Sequence, residues 1–328
     1  MRAVRVHSFG DPEVLQLEKV ADLRPPDQGE VLVRLRAAGV NPVDTYLRSG
    51  QYAALPPLPY TPGSDGAGVV EAVGPTRAGG AGQGPVLAVG DRVYTSGSLT
   101  GTYAETALCP ADHVHPLPAA TTFTAGAALG VPYATAYRAL FQRGQARAGE
   151  LVLIHGASGS VGLAAIQFAV AAGLEVHGTA GSAAGRDLVA AQGAAKVADH
   201  SAPGYAAELL ALTGGRGYDV IVEMAAHAGL ADDLGLLARG GRVVVVGSRG
   251  PVEIAPRDLM SRDADVRGML LFIAAPKELA EAYAAIDVGL GTGTLRPVIA
   301  REVPLADAPR AHREILAGPA LGKLVLVP

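Results

Sequence analysis

Short apolar runs separated by turn residues dominate the first third of the chain. The runs MRAVRVHSF, EVLVRLRAAGV, GAGVVEAVG, DRVYTS and TYAETALCP are rich in valine and are bounded by Gly, Pro or Asp. This texture is typical of antiparallel strands. Between the second and third runs lies GVNPVDTYLRSGQYAALPPLPYTPGSDGAG, which we expect to be irregular. Long loops in compact domains usually carry function, so we also expect this segment to be functional.

From about Thr124 the pattern changes to alternating helical and strand periodicity. The runs LVLIHG, LEVHGTA, KVADH, YDVIVEMA and RVVVVGS are continuously apolar, and segments with helical spacing separate them. Continuous apolar runs are typical of parallel strands buried on both faces. Repeated strand–helix units therefore predict an α/β fold with a doubly wound parallel sheet. The last segment, LRPVIAREVPLADAPRAHREILAGPALGKLVLVP, returns to strand–helix–strand texture, and we expect it to pack on the N-terminal domain.

The composition of the chain restricts its domain number and the classes of partner it could bind. A length of 328 residues favours two domains, and 49% apolar residues suffice for two cores. The single cysteine, Cys109, excludes an internal disulfide framework and is expected to be a small buried apolar residue. A net charge of −4 argues against nucleic acid or an anionic membrane as partner. Leu151–Leu174 lacks Asp, Glu, Lys and Arg, but its glycines divide it into strand, turn and helix, so we expect no membrane span.

The glycine-rich segment LVLIHGASGSVGLAAIQFA indicates a nucleotide site. Gly156, Gly159 and Gly162 recur at three-residue intervals after a predicted strand and at the start of a predicted helix. Glycine allows close approach of the backbone to a pyrophosphate, and the helix N-terminus offers free N–H groups. The alternative is a glycine-rich turn that serves packing only.

The end of the second predicted strand indicates which dinucleotide is bound. NAD sites usually place an acid there to hold the ribose hydroxyls. This sequence reads VHGTAGSAAGRD, with no acid before Asp187, which permits the 2′-phosphate of NADP. Arg186 could help to bind that phosphate, or it could be a solvated helix residue. His200 would lie beside the adenosine half, or it could be an ordinary polar loop residue.

Several long motifs give the chain a family resemblance. AAGVNPVDTYLRSGQY, LPYTPGSDGAGVVEAVG, HGASGSVGLAAIQFA, GTAGS and GGRVVVVGSRG all resemble the zeta-crystallin-type quinone oxidoreductases, within the medium-chain dehydrogenase/reductase superfamily. The resemblance implies a GroES-like β-rich catalytic domain built from residues 1–125 and 292–328. It also implies a Rossmann NADPH-binding domain of residues 126–291, with NADPH in the cleft between the domains.

The resemblance also implies site residues. Asn41 and Tyr46 would lie beside the nicotinamide, with Tyr52 nearby, and Asn41 and Tyr46 could donate hydrogen bonds to an acceptor oxygen. Tyr46 could instead only line the nicotinamide pocket, and Asp44 is expected to bond loop backbone. Gly229 stands where relatives carry an asparagine contact, and the stretch RAGGAGQGP looks longer than the family's loop. The cofactor-binding residues would be Tyr46, Gly156, Ser158, Gly159, Ser160, Val161, Gly162, Gly181, Arg186, His200, Val246, Gly247, Ser248, Arg249, Met269, Leu270 and Leu271.

The sequence predicts chemistry without a metal. The segment resembling the zinc-ligand region of alcohol dehydrogenases reads Pro62-Gly63-Ser64-Asp65-Gly66, without histidine, and AAGVNP offers no cysteine. Electron-poor acceptors need less polarisation than simple carbonyls, so we expect an NADPH-dependent quinone reductase. The alternatives are an NADPH-dependent 2-alkenal or enoyl reductase and, less favoured, an RNA-binding or crystallin-like protein. The family resemblance also suggests a homodimer or homotetramer, and we expect a cytoplasmic protein.

Overall fold

The computed structural model describes residues 1–75, 86–319 and 321–328. The stretch RAGGAGQGP, residues 77–85, lies outside the described residues. The chain forms two compact units: unit 1 comprises Met1–Val131, Pro297–Gly318 and Lys323–Pro328, and unit 2 comprises Pro132–Arg296 and Pro319–Gly322.

The described residues contain strands and helices in both units. The strands are β1 (Arg2–Val6), β2 (Leu15–Lys19), β3 (Glu30–Gly39), β4 (Asp65–Val73), β5 (Arg92–Ser96), β6 (Thr106–Pro110), β7 (Val114–Pro116), β8 (Leu151–Ile154), β9 (Glu175–Thr179), β10 (Lys196–Ala198), β11 (Tyr218–Glu223), β12 (Leu237–Val245), β13 (Asp265–Gly268), β14 (Ile299–Pro304) and β15 (Lys323–Val327). The helices are α1 (Pro42–Ser49), α2 (Phe123–Gly126), α3 (Gly130–Tyr137), α4 (Ser160–Ala171), α5 (Ala183–Ala191), α6 (Tyr205–Leu212), α7 (Ala226–Leu236), α8 (Pro256–Met260), α9 (Pro276–Thr292) and α10 (Ala308–Ala317).

Unit 1 is built on a seven-stranded sheet. Its strand order is β14-β15-β3-β4-β5-β7, and β6 also pairs with β3. Pairing is antiparallel except between β14 and β15, and β1 and β2 form a separate hairpin-like pair. In β3, Val31, Val33 and Leu35 alternate inward with more exposed residues, as the period of a strand requires. The C-terminal segment therefore adds β14, α10 and β15 to the N-terminal sheet, which confirms the expected return.

Unit 2 is built on a six-stranded sheet in which every pairing is parallel. The order is β10-β9-β8-β11-β12-β13, so the first strand of the unit, β8, lies in the middle. The chain moves outward from β8 to β9 and β10, and then returns to β11 on the other side of β8. This is the Rossmann order, and its topological switch point lies at the carboxyl ends of β8 and β11. β8 is buried at all of its residues, which explains its uninterrupted apolar run.

One local expectation is wrong. The segment expected to be irregular contains α1, with Asn41 at its N-cap, Pro42 at its first turn and Gly50 at its C-cap with φ +78°. Proline at the first helical position and a left-handed glycine at the end are common helix boundaries. The sequence N-P-x-D followed by Gly50 therefore already indicated a helix. The helical spacing from about Thr124 is divided between two helices, because α2 ends at Gly126 and α3 continues into a π-helical segment, Arg138–Arg143.

Among the described residues, no helix combines the length and the apolarity needed to span a bilayer. The charge-free stretch noted in the sequence is divided between β8 and α4, with the glycine-rich turn between them.

Candidate functional site

The three glycines in the turn between β8 and α4 have different structural roles. Gly156 has φ +56°, in the left-handed region that favours glycine. A Cβ on Gly162 would lie 2.6 Å from the Cα of Ala157, so tight helix–turn packing requires this glycine. Gly159, the N-cap of α4, has φ −77° and ψ 166°, an extended conformation that any residue adopts. Its backbone conformation therefore does not explain the glycine at position 159.

The N-terminus of α4 suits an anion. The helix is 12 residues long, and its N-cap makes no side-chain capping hydrogen bond. The first-turn N–H groups of a helix have no intrahelical partner, and the helix dipole adds partial positive charge there. Ser158 is buried, and its carbonyl oxygen accepts a hydrogen bond from the Gly322 backbone N–H at 2.9 Å, which fixes the turn. These residues fit the pyrophosphate of a dinucleotide.

The other predicted cofactor residues of unit 2 lie at the same edge of the sheet. Each group follows the carboxyl end of a strand, and in a parallel sheet these ends share one edge. Gly181 and Arg186 follow β9, His200 follows β10, Val246, Gly247, Ser248 and Arg249 follow β12, and Met269, Leu270 and Leu271 follow β13.

Arg186 has an acidic partner that the sequence analysis missed. Its Nη1 lies 2.7 Å from Oδ2 of Asp199, and each side chain is about one-third exposed. The Ser201 backbone N–H and then Arg186 lower the pKa of Asp199, so this carboxylate is charged at neutral pH. Asp199 follows β10 directly, and its position after an apolar strand was the available signal. The edge of the sheet therefore carries an arginine held in place by an acid.

His200 is connected to the interior of unit 2 through a threonine. Its Nδ1 lies 3.2 Å from Oγ1 of Thr179, and the same hydroxyl lies 3.2 Å from Nδ1 of His155. Burial lowers the pKa of His200, so the ring is neutral at neutral pH. His200, which was predicted to lie beside the adenosine, is thus linked through Thr179 to the buried side chain of His155.

His155 belongs to a buried cluster with Asp233 and Glu223, which lies at the switch point of the sheet. Nε2 of His155 lies 2.9 Å from Oδ1 of Asp233, and Glu223 ends β11. Burial raises the pKa of Glu223 to about 7, and the charge of Asp233 adds to the shift. Burial lowers the pKa of His155, but the hydrogen bond and charge of Asp233 outweigh it, and the net pKa is raised. The charge of Asp233 thus raises the pKa of both of its neighbours, the carboxyl group of Glu223 and the imidazole of His155.

Glycine at position 229 makes room for this cluster. A Cβ there would lie 2.5 Å from Oε2 of Glu223. The asparagine that the family resemblance implies for relatives at position 229 would therefore collide with the carboxyl group of Glu223.

We expect Glu223→Gln to stabilise the protein in alkaline solution. Glu223 has a raised pKa in the folded state, so its favourable contribution is complete at low pH and is lost as the pH rises through about 7. Glutamine keeps an acceptor for the Ala225 N–H and stays neutral beside Asp233 at every pH. The variant should melt several degrees above wild type at about pH 8.5, with the gap closing near pH 5. Thermal unfolding across this range measures the gap.

The control for this prediction is Glu253→Gln, which removes an exposed carboxylate of the same unit. Its effect on melting should be small and nearly independent of pH. A constant gap between wild type and Glu223→Gln across the pH range would contradict the assigned protonation.

In unit 1, Asn41 is held by two buried charged side chains. Its Nδ2 donates to Oδ2 of Asp65 at 2.8 Å, and its Oδ1 accepts from Nζ of Lys323 at 2.5 Å. Lys323 also donates to Asp65 Oδ2 at 3.1 Å. Asn41, Asp65 and Lys323 are 2%, 0% and 1% exposed. The three polar groups close a triangle in which every contact pairs a donor with an acceptor.

Asp44 connects this triangle to a second buried chain. Its Oδ2 accepts from the Asn41 backbone N–H at 2.9 Å, as expected for a residue that bonds loop backbone, and from the Tyr103 hydroxyl at 3.0 Å. The Tyr103 oxygen lies 3.1 Å from Nε2 of His312. Burial raises the pKa of Asp44 to about 7 and lowers the pKa of His312 to about 3. Because the Tyr103 hydroxyl donates to Asp44, its oxygen accepts from Nε2 of the neutral imidazole.

The two predicted tyrosines lie on and just after α1. Tyr46 is on the helix and is half-buried, and its carbonyl oxygen accepts from the Gln51 N–H at 2.9 Å. Tyr52 is half-buried in the segment that follows. The helix that the sequence analysis missed thus carries Tyr46 and has Asn41 as its N-cap.

Comparison with known proteins gives the family. Residues 27–119 match the family described as alcohol dehydrogenase GroES-like domain, and residues 160–287 match that described as zinc-binding dehydrogenase. A quinone oxidoreductase from Homo sapiens is 47% identical over 100% of this chain and 98% of its own length. The structure of Escherichia coli quinone oxidoreductase complexed with NADPH is 30% identical, with a TM-score of 0.88, and covers 100% of both chains. An NAD-dependent alcohol dehydrogenase structure is 29% identical, with a TM-score of 0.90 and the same coverage.

A Rossmann unit and a GroES-like unit together define a medium-chain dehydrogenase/reductase, an oxidoreductase. Within that superfamily, the chain belongs to the quinone oxidoreductase family. The resemblance read from the motifs is thereby confirmed.

Proposed function

We propose that this protein transfers reducing equivalents from NADPH to quinones without a metal ion. The uncapped N-terminus of α4, at the switch point of a Rossmann sheet, carries the cofactor assignment. The structure of the E. coli quinone oxidoreductase, complexed with NADPH, supports it. Unit 2 serves as the NADPH-binding domain and unit 1 as the catalytic domain. NADPH supplies the hydride, and the residues of this chain bind and orient the reactants.

The residues of unit 1 supply hydrogen-bond donors. Asn41 and Tyr46 donate to the acceptor oxygen on which negative charge develops, and Tyr52 lines the same site. Asn41 has two Nδ2 hydrogens, and Asp65 takes one of them. Donors fixed in advance stabilise developing charge without reorganising during the reaction.

The donor sets support a reaction without zinc. In the described residues, one group of three His, Cys, Asp or Glu side chains has ligand atoms close enough for a metal, namely His155, Glu223 and Asp233. This group is buried in unit 2, and His155 and Asp233 are hydrogen-bonded directly to each other. The histidine and the aspartate therefore already satisfy each other without a cation.

The function is tested by a stopped-flow screen of NADPH oxidation. ortho-Quinones, para-quinones and 2-alkenals are offered as acceptors, with and without a strong chelator, and radical formation is followed. We expect quinones to be reduced at least tenfold faster than enals and the chelator to have no effect. Faster enal reduction would assign the protein to the alkenal reductases, and activity lost to the chelator and restored by zinc alone would refute the proposal.

We further propose a homodimer formed through the exposed edge strand β13. Edge strands offer unpaired backbone groups, and β13 ends the six-stranded sheet. Phe272 and Ile273 next to it are 50% and 74% exposed.

Light scattering tests the dimer. Wild type should have twice the 33.2 kDa mass of one chain, and Phe272→Asp/Ile273→Asp should have the mass of one chain. Val288→Asp, at a 66% exposed position on α9, is the matched control and should stay dimeric. A wild type of single-chain mass would contradict the proposal.

A further inference from the structure

Lys323 reaches Asn41 through a gap provided by a glycine. β15 pairs with β3, and β3 pairs with β4, so Lys323, Gly39 and Asp65 lie on neighbouring strands. A Cβ on Gly39 would lie 2.1 Å from the backbone oxygen of Ala127, 2.8 Å from Cε of Lys323 and 3.0 Å from Cβ of Asp65. Glycine at this position therefore leaves room both for the Ala127 carbonyl and for the lysine side chain that reaches the amide of Asn41.

The charged pair is costly for an interior, which argues that it does more than stabilise the fold. Burial lowers the pKa of Lys323, and Asp65 opposes that shift. Oδ1 of Asp65 accepts from the Val131 N–H at 2.8 Å, so both carboxylate oxygens are engaged. Replacing buried ion pairs with well-packed apolar residues is often neutral or stabilising. What an apolar pair would not provide is a fixed orientation for a neighbouring amide.

The amide orientation follows from chemistry. Lysine only donates, so it requires the oxygen of Asn41, and an ionised aspartate only accepts, so it requires the nitrogen. A flipped amide would place Nδ2 against the ammonium and Oδ1 against the carboxylate. A cationic donor on Oδ1 also withdraws charge from the amide and strengthens its remaining N–H as a donor.

We propose that Lys323 and Asp65 are positioning residues that orient and polarise the side-chain amide of Asn41 for the reaction. This inference rests on the proposed role of Asn41 as a donor to the acceptor. It predicts that removing the pair lowers turnover through Asn41 and leaves NADPH binding intact.

A double-mutant cycle tests the proposal. Lys323→Met leaves Asp65 buried without its cation and destabilises unit 1. The pair variant Asp65→Asn/Lys323→Met, which removes both charges, is therefore measured beside it. We expect the pair variant to lower kcat at least tenfold, with the Kd for NADPH within threefold of wild type. In an Asn41→Ala background the same pair should change kcat less than twofold, because the group on which it acts is absent.

Equal losses of kcat in both backgrounds would show a purely structural role and overturn the proposal. The cycle is run with whichever acceptor the wild type reduces fastest, so a wrong assignment of quinones as substrate does not affect it. If Asn41→Ala kept full turnover, the proposed role of Asn41 would fail and this proposal with it.

A second measurement is independent of activity. Asn41 is the only asparagine among the 328 residues, so asparagine-selective 15N labelling gives one side-chain amide signal pair. In wild type we expect two well-separated, slowly exchanging protons. In Lys323→Met, or in Lys323→Gln if the first does not fold, exchange should accelerate at least tenfold while the melting of unit 2 is unchanged. Unchanged exchange would show that Lys323 does not hold the amide.

Discussion

Gly159→Val should abolish NADPH binding while leaving the fold largely intact. The extended backbone at this position accepts valine, so the cost to folding should be small. The branched side chain would occupy the space that the pyrophosphate needs at the N-terminus of α4. We expect no saturable NADPH binding in a fluorescence titration, and a melting temperature within a few degrees of wild type without cofactor.

A matched substitution makes this result specific. Gly291→Val introduces the same side chain on α9, where a Cβ would meet no atom within 4 Å. Its NADPH affinity should equal that of wild type. A Gly159→Val protein that melts far below wild type yet still binds NADPH would mean that the glycines serve packing alone.

Arg186→Glu should reduce NADPH affinity at least a hundredfold and NADH affinity less than threefold. The substitution removes the cation and leaves Asp199 beside a second carboxylate, so two negative charges would face the 2′-phosphate. A hundredfold change is about 2.7 kcal/mol, within the range of a reversed charge-assisted contact. Wild type should itself prefer NADPH over NADH at least tenfold, because no acid follows β9 at Ala180–Ser182.

Arg216→Glu is the control for this charge reversal. Arg216 also lies 2.7 Å from an aspartate of unit 2, Asp219, and is paired within the same short segment of chain. It should leave both cofactor affinities unchanged. If Arg186→Glu weakened the binding of NADPH and NADH equally, Arg186 would stabilise the local structure at this edge of the sheet and would not bind the 2′-phosphate.

The parts of the fold that the sequence predicted are those in which burial dictates the local pattern. β8 is buried along its whole length, so its residues had to be continuously apolar. α1 was missed because proline-rich segments suggest loops, although Pro42 occupies a first-turn position where its missing N–H costs nothing. Strand order is not written in any local pattern, since β15 pairs with a strand from the opposite end of the sequence.

The same distinction applies to the site. The glycines of the phosphate turn could be found because their spacing and context are local. Lys323 could not be found, because its partner Asn41 lies 282 positions away and a single lysine in an apolar strand has no recognisable pattern. Asp199 was overlooked for a similar reason, since its partner Arg186 lies on α5 and only the parallel sheet brings the two together.

The position of β15 has a consequence for protein synthesis. Asp65 and Asn41 leave the ribosome early, whereas the lysine that pairs with them is added only after all of Pro132–Arg296, on the order of ten seconds later. Until then β3 lacks its β15 neighbour, and Asp65 has no cation to offset its burial. The nascent N-terminal segment should therefore remain protease-sensitive while the Rossmann sheet closes, so the dinucleotide-binding half matures before the half that begins the chain.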